Sequence, residues 1–167
     1  MIVLETERLQ LRWLSIDDAP FILELVNEPT WLQFIGDRGV RTLDDARNYI
    51  VKGPIEMYGR LGYGLYLVQR KDDLVPMGMC GLLKRSYLED ADIGFAFLPQ
   101  HVGKGYAYEA AVAVMGYGRC VLGMKRILAI TNPENAPSVK LLGKLGLRFE
   151  RMVTPAGENR EVCLFAT

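Results

Sequence analysis

Apolar and polar side chains alternate along several short segments of the chain, a spacing that places every second residue on one face of a β-strand. From Arg8 to Leu14, apolar side chains at positions 9, 11 and 13 alternate with polar ones at positions 10 and 12. Similar alternation, or a short apolar run bounded by turn residues, predicts six further strands. These are Leu65–Gln69, Met77–Leu83, Asp92–Leu98, Arg126–Ile130, Arg148–Val153 and Arg160–Phe165. The first three of these six would form an antiparallel meander.

Helical spacing of apolar residues occupies much of the remaining chain. Ser15 followed by Asp18 forms a capping box that opens a helix from Ala19 to Val26, and we expect this helix to end at Pro29. Three further helices are predicted, from the capping box at Thr42–Asp45 to about Tyr58, over Tyr108–Leu122, and over Val139–Leu145. Without repeats or linkers, this order predicts a single α+β domain over residues 1–167, with helices on both faces of a mixed, mostly antiparallel sheet.

The composition limits the class of partner. Of the 167 residues 50% are hydrophobic, and 20 Lys and Arg balance 20 Asp and Glu. This balance gives no electrostatic footprint for nucleic acid or for an acidic membrane surface. One histidine and three separated cysteines (Cys80, Cys120 and Cys163) do not form a typical metal site, and the odd cysteine count favours a reducing compartment. Neither a signal peptide nor an apolar run of about 18 residues is indicated, so the expected location is the cytoplasm.

The most informative segment joins the third strand of the predicted meander to the long helix. Residues 99–107 read Pro-Gln-His-Val-Gly-Lys-Gly-Tyr-Ala, a basic turn that contains two glycines. The free N–H groups at a helix start and the positive end of the helix dipole bind phosphate groups well. We therefore expect a phosphate or pyrophosphate to lie on the N–H groups of Val102, Gly103, Lys104, Gly105, Tyr106 and Ala107. Glycine at two of these positions allows a close approach or a positive φ.

Two common phosphate-binding loops do not fit this spacing. A P-loop needs a hydroxyl residue after its Gly-Lys pair, whereas Gly105 follows Lys104 here. The dinucleotide fingerprint needs a further small residue, and Tyr108 occupies that position. What remains is Gln100 followed by Gly103 and Gly105, a Q-x-x-G-x-G pattern.

A second motif lies one helix and one strand further along the chain. Asn135 and Ser138 form an N-x-x-S pattern before a short apolar helix that ends at Gly146. The glycine loop followed by this motif resembles the GNAT superfamily of N-acetyltransferases. The opening segment Leu4–Arg12 is similar to the first strand of the RimJ/RimL-like branch of that superfamily. The resemblance thus covers nearly the whole chain.

The resemblance implies a fold, a cofactor and several contacts. The fold is the GNAT fold, whose central strands splay to admit acetyl-CoA. Gln100 fills the polar first position of the pyrophosphate motif, and the pantetheine arm would contact the main chain near Phe97 and Leu98. Asn135 would bind the pantetheine, cap the short helix, or do both.

Acetyl transfer from a thioester requires a neutral amine and a proton for the departing thiolate. Asp92 aligns with an acidic residue that often begins this strand in the superfamily, so the resemblance implies Asp92 as the base, with Glu89, Asp90 or water as alternatives. For the thiolate, many members of the superfamily carry a tyrosine seven positions after the motif asparagine, where this chain has Leu142. The resemblance therefore implies Ser138, or water, as the proton donor.

These observations predict an acetyl-CoA-dependent N-acetyltransferase that acetylates a primary amine, on a protein N-terminus or a small molecule, by direct attack in a ternary complex. The alternatives are a non-catalytic acyl-CoA-binding or sensing module and, more distantly, an ATP- or NAD-binding domain. The acceptor pocket is expected from Trp31, residues 34–38 and residues 58–66, whose tyrosines would form an aromatic wall or part of the core. The sequence leaves the acceptor and the oligomeric state open, a homodimer included.

Overall fold

The computed structural model describes all residues from 1 to 167, and its eight strands form one sheet. The strands are β1 (Ile2–Glu5), β2 (Leu9–Arg12), β3 (Leu65–Arg70), β4 (Pro76–Leu83), β5 (Asp92–Phe97), β6 (Leu128–Thr131), β7 (Arg148–Val153) and β8 (Val162–Ala166). Their order in the sheet is β1-β2-β3-β4-β5-β6-β8-β7. Only β5 and β6 run parallel to each other, and the other neighbouring pairs are antiparallel. The predicted α+β class and mixed, mostly antiparallel sheet are confirmed.

Six α-helices cover the sheet from both faces. They are α1 (Ala19–Leu25), α2 (Pro29–Phe34), α3 (Leu43–Ile50), α4 (Glu56–Leu61), α5 (Tyr106–Cys120) and α6 (Ala136–Lys144). Apolar side chains of α1 to α3 pack on Leu67 and Met79 of the sheet, whereas those of α5 and α6 pack on Val68 and Leu82 from the opposite face. None of the helices combines the length and the apolar composition needed to span a lipid bilayer.

Three local predictions differ from the structure. The opening segment forms the two strands β1 and β2 instead of one, joined by a turn in which the Thr6 N–H donates to the Leu9 carbonyl. Pro29 begins α2 instead of ending the preceding helix, because proline is compatible with the first turn of a helix. The helix after Thr42 is divided by a π-helical segment, Val51–Ile55, which includes a proline that cannot donate a main-chain hydrogen bond.

The two parallel strands β5 and β6 diverge along their length. They are joined at a single pair, Asp92 opposite Leu128, where the Leu128 N–H donates to the Ala91 carbonyl at 2.9 Å. No further pair connects them, and residues 94–97 are partly exposed although β5 lies inside the sheet. We call the opening between residues 94–97 and β6 the gap. The predicted splay of the central strands is confirmed.

Main-chain groups of β5 line one side of the gap. Successive residues of a strand direct their N–H and C=O groups to opposite neighbours. The Leu98 N–H donates to the Met77 carbonyl of the β4 side at 2.9 Å. By this alternation the N–H and C=O groups of Phe95 and Phe97 face the gap, where no strand is present to bind them.

Candidate active site

The loop between β5 and α5 provides a row of free hydrogen-bond donors at the carboxyl end of the gap. No acceptor within the protein binds the six N–H groups from Gly103 to Tyr108. Gly103 and Gly105 both have φ of +82°, which is the left-handed region that favours glycine. Gly105 is the N-cap of the 15-residue α5, so the positive end of the helix dipole adds to the donor row. This arrangement suits a pyrophosphate.

Some of the predicted contacts at this loop are already used inside the protein. The Val102 N–H donates to the Pro99 carbonyl and is therefore not free to bind a ligand, even though Val102 is 61% exposed. Leu98 is buried, and its carbonyl accepts a hydrogen bond from the His101 N–H while its own N–H bonds to β4. The donor row therefore begins at Gly103, one residue later than predicted. Both main-chain groups of Leu98 are occupied.

Arg8, which the sequence did not single out, anchors the loop from the turn between β1 and β2. Its guanidinium donates to the Lys104 carbonyl at 3.0 Å and lies 4.4 Å from the centre of the Tyr106 ring. The Arg8 Nε also donates to Glu109 in the first turn of α5 at 2.7 Å. Burial raises the pKa of Glu109, but hydrogen bonds from Thr6 and Arg8 outweigh it and lower the pKa overall, so this carboxylate stays charged.

The start of α6 lies at the same edge of the sheet as the start of α5. β5 and β6 are parallel, so the loops that follow them emerge from the same end of the sheet. Asn135 is the N-cap of α6, and its Oδ1 accepts a hydrogen bond from the Ser138 N–H at 3.4 Å. The Asn135 amide nitrogen and the Ser138 hydroxyl make no hydrogen bond within the protein, and both residues are half-buried. They remain available to a molecule in the gap.

Asp92 lies at the closed end of the gap, at the single pair between β5 and β6. Its side chain is 1% exposed, and both carboxylate oxygens accept hydrogen bonds from the Arg85 Nε at 3.1 Å. Burial raises the pKa of Asp92 to about 6, although the Arg85 guanidinium acts in the opposite direction. The two alternative acids differ from it, because Glu89 is exposed, Asp90 is half-buried, and neither forms an ion pair.

A cavity of about 410 Å³ lies beside Asp92, on the face covered by α1 to α3. The sheet contributes Leu65 and Leu83 to its lining, and Leu83 is the cross-strand partner of Asp92. Directly opposed residues in antiparallel strands have Cβ atoms about 4.5–5.5 Å apart. The other walls come from the loop after α2, from α3, from the π-helical segment and from α4. A molecule in this cavity would therefore approach the closed end of the gap.

The predicted acceptor region contributes less to this cavity than expected. Arg38 and Leu65 line it, whereas Trp31, Tyr58 and Tyr66 are buried in the core. Tyr58 stacks on Tyr66 with ring centres 5.8 Å apart, and on the opposite side it stacks on Trp13. Tyr58 and Tyr66 thus follow the core alternative, and Tyr63 is half-buried against the same core. The aromatic residue in the cavity lining is Tyr49 of α3, which lies outside the predicted acceptor region.

The loop between β7 and β8 reaches the segment that follows α2. Arg160 donates to the carbonyls of Phe34 at 3.3 Å and Ile35 at 2.9 Å, and its Nε donates to Glu158. This contact connects the strands beyond the gap with the helices that border the cavity. No group of three or more His, Cys, Asp and Glu side chains is arranged to hold a metal ion.

Comparisons with known proteins identify the family. A family model described as an acetyltransferase (GNAT) domain matches residues 8–148. An uncharacterised N-acetyltransferase, p20 of Bacillus licheniformis, is 30% identical over 155 residues, which cover 92% of this chain and 86% of that protein. A solved GNAT-family acetyltransferase from Bacillus anthracis is 27% identical with a TM-score of 0.81, covering 100% of this chain and 98% of that one.

The fold is also that of RimL, a ribosomal L7/L12 alpha-N-protein acetyltransferase solved in complex with coenzyme A. That structure has a TM-score of 0.83 at 19% identity and covers 100% of this chain and 97% of its own. The free donor row and the gap fit the pyrophosphate and the extended arm of acetyl-CoA, the acetyl donor of the family. The chain belongs to the GNAT family of acetyltransferases and is an N-acetyltransferase.

Proposed function

We propose that this enzyme acetylates a primary amine, on a peptide N-terminus or a small molecule, by direct attack of the amine within a ternary complex. The observation that carries the proposal is the row of six free N–H groups at the start of α5, beside a gap that ends at Asp92 and at the cavity. One ligand can then lie in the gap and the other in the cavity. Holding two reactants together in this way lowers a barrier by roughly 7–11 kcal/mol.

The chain provides the contacts for the donor in three places. Gly103 to Tyr108 offer N–H groups to the pyrophosphate. Lys104, which forms no ion pair, adds a positive charge. The Phe97 main chain and the Asn135 amide nitrogen offer hydrogen bonds along the gap, and we assign the strand contact to Phe97 because both main-chain groups of Leu98 are occupied. Gln100 is exposed beside the loop. Acetyl-CoA supplies the reactive thioester.

Asp92 and Ser138 are the proposed acid–base residues. Asp92 would accept the ammonium proton through water, and a pKa near 6 makes it a better base than an ordinary aspartate while it remains charged at neutral pH. Ser138 would donate a hydrogen bond to the departing thiolate from the first turn of α6. Its hydroxyl has no partner in the protein and is therefore free to turn toward the gap.

The cysteines support direct attack over an acyl-enzyme route. Cys80 and Cys163 are buried, and burial raises the pKa of both thiols, so neither is a ready nucleophile. Cys120 lies in the last turn of α5, at the opposite end of that helix from the glycine loop. RimL, which has the same fold, is an alpha-N-protein acetyltransferase, and this supports a peptide N-terminus as the acceptor.

Thermal unfolding with acetyl-CoA, CoA, ATP and NAD in parallel tests the proposed donor. A ligand at about 100 times its Kd stabilises a protein by roughly 2.7 kcal/mol, which raises the Tm by about 5–11 °C for a domain of this size. We expect this rise with acetyl-CoA and CoA and none with ATP or NAD. Stabilisation by ATP or NAD alone would refute the proposal. The transfer step is then tested by measuring release of the CoA thiol from acetyl-CoA in the presence of added amines.

We expect Arg8→Gln to weaken acetyl-CoA binding about threefold to tenfold. Without the guanidinium the Lys104 carbonyl loses its donor and the loop loses its anchor. The ligand must then order the loop as it binds, which lowers the binding free energy. Calorimetric titration measures the change. Arg126→Gln, which removes an exposed ion pair with Glu150, is the matched control and should bind normally. Equal affinity in the Arg8 and Arg126 variants would contradict an anchoring role for Arg8.

We expect the pH profile to identify Asp92 as the base. Asp92 can accept the ammonium proton only when it is itself deprotonated, whereas an α-amine with a pKa near 8 arrives protonated. We therefore expect log(kcat/KM) to rise with a slope of about one below about pH 6 and to level off between those two pKa values. Asp92→Asn should reduce the rate by about 10²-fold or more and lose this plateau, so that log(kcat/KM) rises with a slope of about one up to the pKa of the amine. A variant profile parallel to that of the wild type would instead assign the proton to water or to another acid.

A further inference from the structure

Two unpaired cations belong to the walls of the cavity beside Asp92. Arg38 comes from the loop after α2 and Lys52 from the π-helical segment, and neither forms an ion pair or a side-chain hydrogen bond. Most of the other arginines on the surface differ in this respect, because eight ion pairs engage Arg side chains elsewhere in the protein. Two separate elements, on either side of α3 in the chain, thus bring free positive charge to one cavity.

The single carboxylate in the cavity lining does not neutralise these cations. Asp45 completes the capping box of α3, and its Oδ2 accepts hydrogen bonds from the N–H groups of Arg41 and Thr42. Its charge is therefore partly balanced by the main-chain donors at the start of α3. On the sheet side Asp92 is paired with Arg85. The cavity consequently has an excess of uncompensated positive charge.

The π-helical segment places Lys52 at the cavity. Such segments are rare and occur often at functional sites. Here the wider turn includes Pro54, which lacks an N–H donor, and both Gly53 and Pro54 line the cavity with Lys52. A volume of about 410 Å³ lies within the roughly 300–1,000 Å³ of typical small-molecule sites. The cavity can hold an amino acid or the first residues of a peptide.

We propose that the acceptor carries a carboxylate close to the amine that is acetylated, and that Arg38 and Lys52 bind this carboxylate. The proposal rests on the proposed function and names the acceptor class of the same site. The amine would point along the sheet toward Asp92, next to Leu83 on the cavity floor. The carboxylate would remain near the cavity mouth, where both cations are exposed. An acidic side chain near a peptide N-terminus and the α-carboxylate of a free amino acid share this chemistry.

Two pairs of compounds test the proposal, each pair differing in one carboxylate. The first pair is Ser-Glu-Ala-amide and Ser-Gln-Ala-amide, and the second is alanine and alaninamide. In an assay that measures release of the CoA thiol, the carboxylate member of at least one pair should have a kcat/KM about threefold to tenfold higher than its partner. Which pair shows this preference distinguishes a peptide from a free amino acid. The preference should decrease with rising salt, because both cations are exposed.

The double variant Arg38→Gln/Lys52→Gln should lose the preference and bind acetyl-CoA normally. Arg47→Gln is the matched control, since Arg47 lies on α3, is paired with Asp44 and does not line the cavity. It should retain the preference.

Calorimetric titration of the CoA-saturated protein with the same four compounds measures the preference without turnover. Tighter binding of the carboxylate members, lost in the double variant, supports the proposal. Equal binding within both pairs, no binding of any carboxylate member, or a preference that survives in the double variant overturns it. Thermal unfolding with acetyl-CoA tests the proposed function separately, because that measurement involves no acceptor. If acetyl-CoA did not stabilise the protein, the proposed function itself would fail.

Discussion

Replacing Gly103 by valine is expected to abolish binding of acetyl-CoA. The residue has φ of +82°, a conformation that a β-branched side chain disfavours by about 1–3 kcal/mol. A Cβ at this position would meet no protein atom within 4 Å, so a side chain here would extend from the loop into open space. We expect this side chain to lie in the path of a pyrophosphate that approaches the free N–H groups. Losing two charge-assisted hydrogen bonds, at about 1.5–3 kcal/mol each, raises the Kd by 100-fold or more.

Gly123→Val is the matched control for this substitution. Gly123 also has a positive φ, +69°, also has nothing within 4 Å of its Cβ position, and lies beyond the opposite end of α5. Both variants should lose a similar amount of stability through backbone strain. Only the Gly103 variant should lose the rise in Tm that acetyl-CoA produces. If acetyl-CoA stabilised both variants equally, the loop would not be the binding site.

The glycine loop could be predicted from the sequence because its chemistry is local. A strand, a turn with two glycines and a helix fix where the free N–H groups are, whatever the rest of the chain does. The positive φ of Gly103 and Gly105 follows from the same turn. The N-cap role of Asn135 is equally local, since its partner Ser138 is three residues away. The splay of β5 and β6 was implied by the resemblance alone.

The remaining parts of the site depend on contacts between distant residues. Arg8 binds Glu109 across 101 positions, and Arg160 binds the Phe34 carbonyl across 126. No periodicity or spacing encodes such contacts, so neither arginine was distinguishable from a solvated surface residue. Arg8 lies in the opening segment, which resembles the first strand of the RimJ/RimL-like branch. That resemblance predicts a strand, but it predicts no partner for the Arg8 side chain.

The cavity shows why local propensity was insufficient in the first half of the chain. The capping box at Thr42 correctly predicted where α3 begins, but a continuous helix to Tyr58 would have had no wide turn at Pro54. Aromatic residues between glycines suggested a binding wall, although Tyr58 and Tyr66 are buried by stacking on each other. Only the packed structure shows that Arg38, Asp45 and Lys52 line the space beside Asp92, and that Tyr58 and Tyr66 do not.

Ser138→Ala is the second substitution with a large expected effect, and it acts on turnover instead of binding. The hydroxyl makes no hydrogen bond in the protein, so its removal leaves no unpaired partner and should change stability little. A positioned proton donor accelerates transfer by about 10²–10⁴-fold. Because a serine can only relay or stabilise, we expect the lower end of that range, a loss of about 100-fold in kcat. The Kd for acetyl-CoA should stay within about threefold of the wild-type value, since main-chain groups provide most of the contacts.

Ser138→Thr separates this chemical role from a structural one. Threonine keeps the hydroxyl and is tolerated in the first turn of a helix at small cost, so kcat should recover to within about tenfold of the wild-type value. Alanine is the better helix former of the two replacements, and a purely structural role would therefore favour the alanine variant. Unchanged turnover in Ser138→Ala would show that water protonates the thiolate. In that case the free hydroxyl at the start of α6 has no part in the chemistry, and the reaction depends on Asp92 and on the positioning of the two substrates.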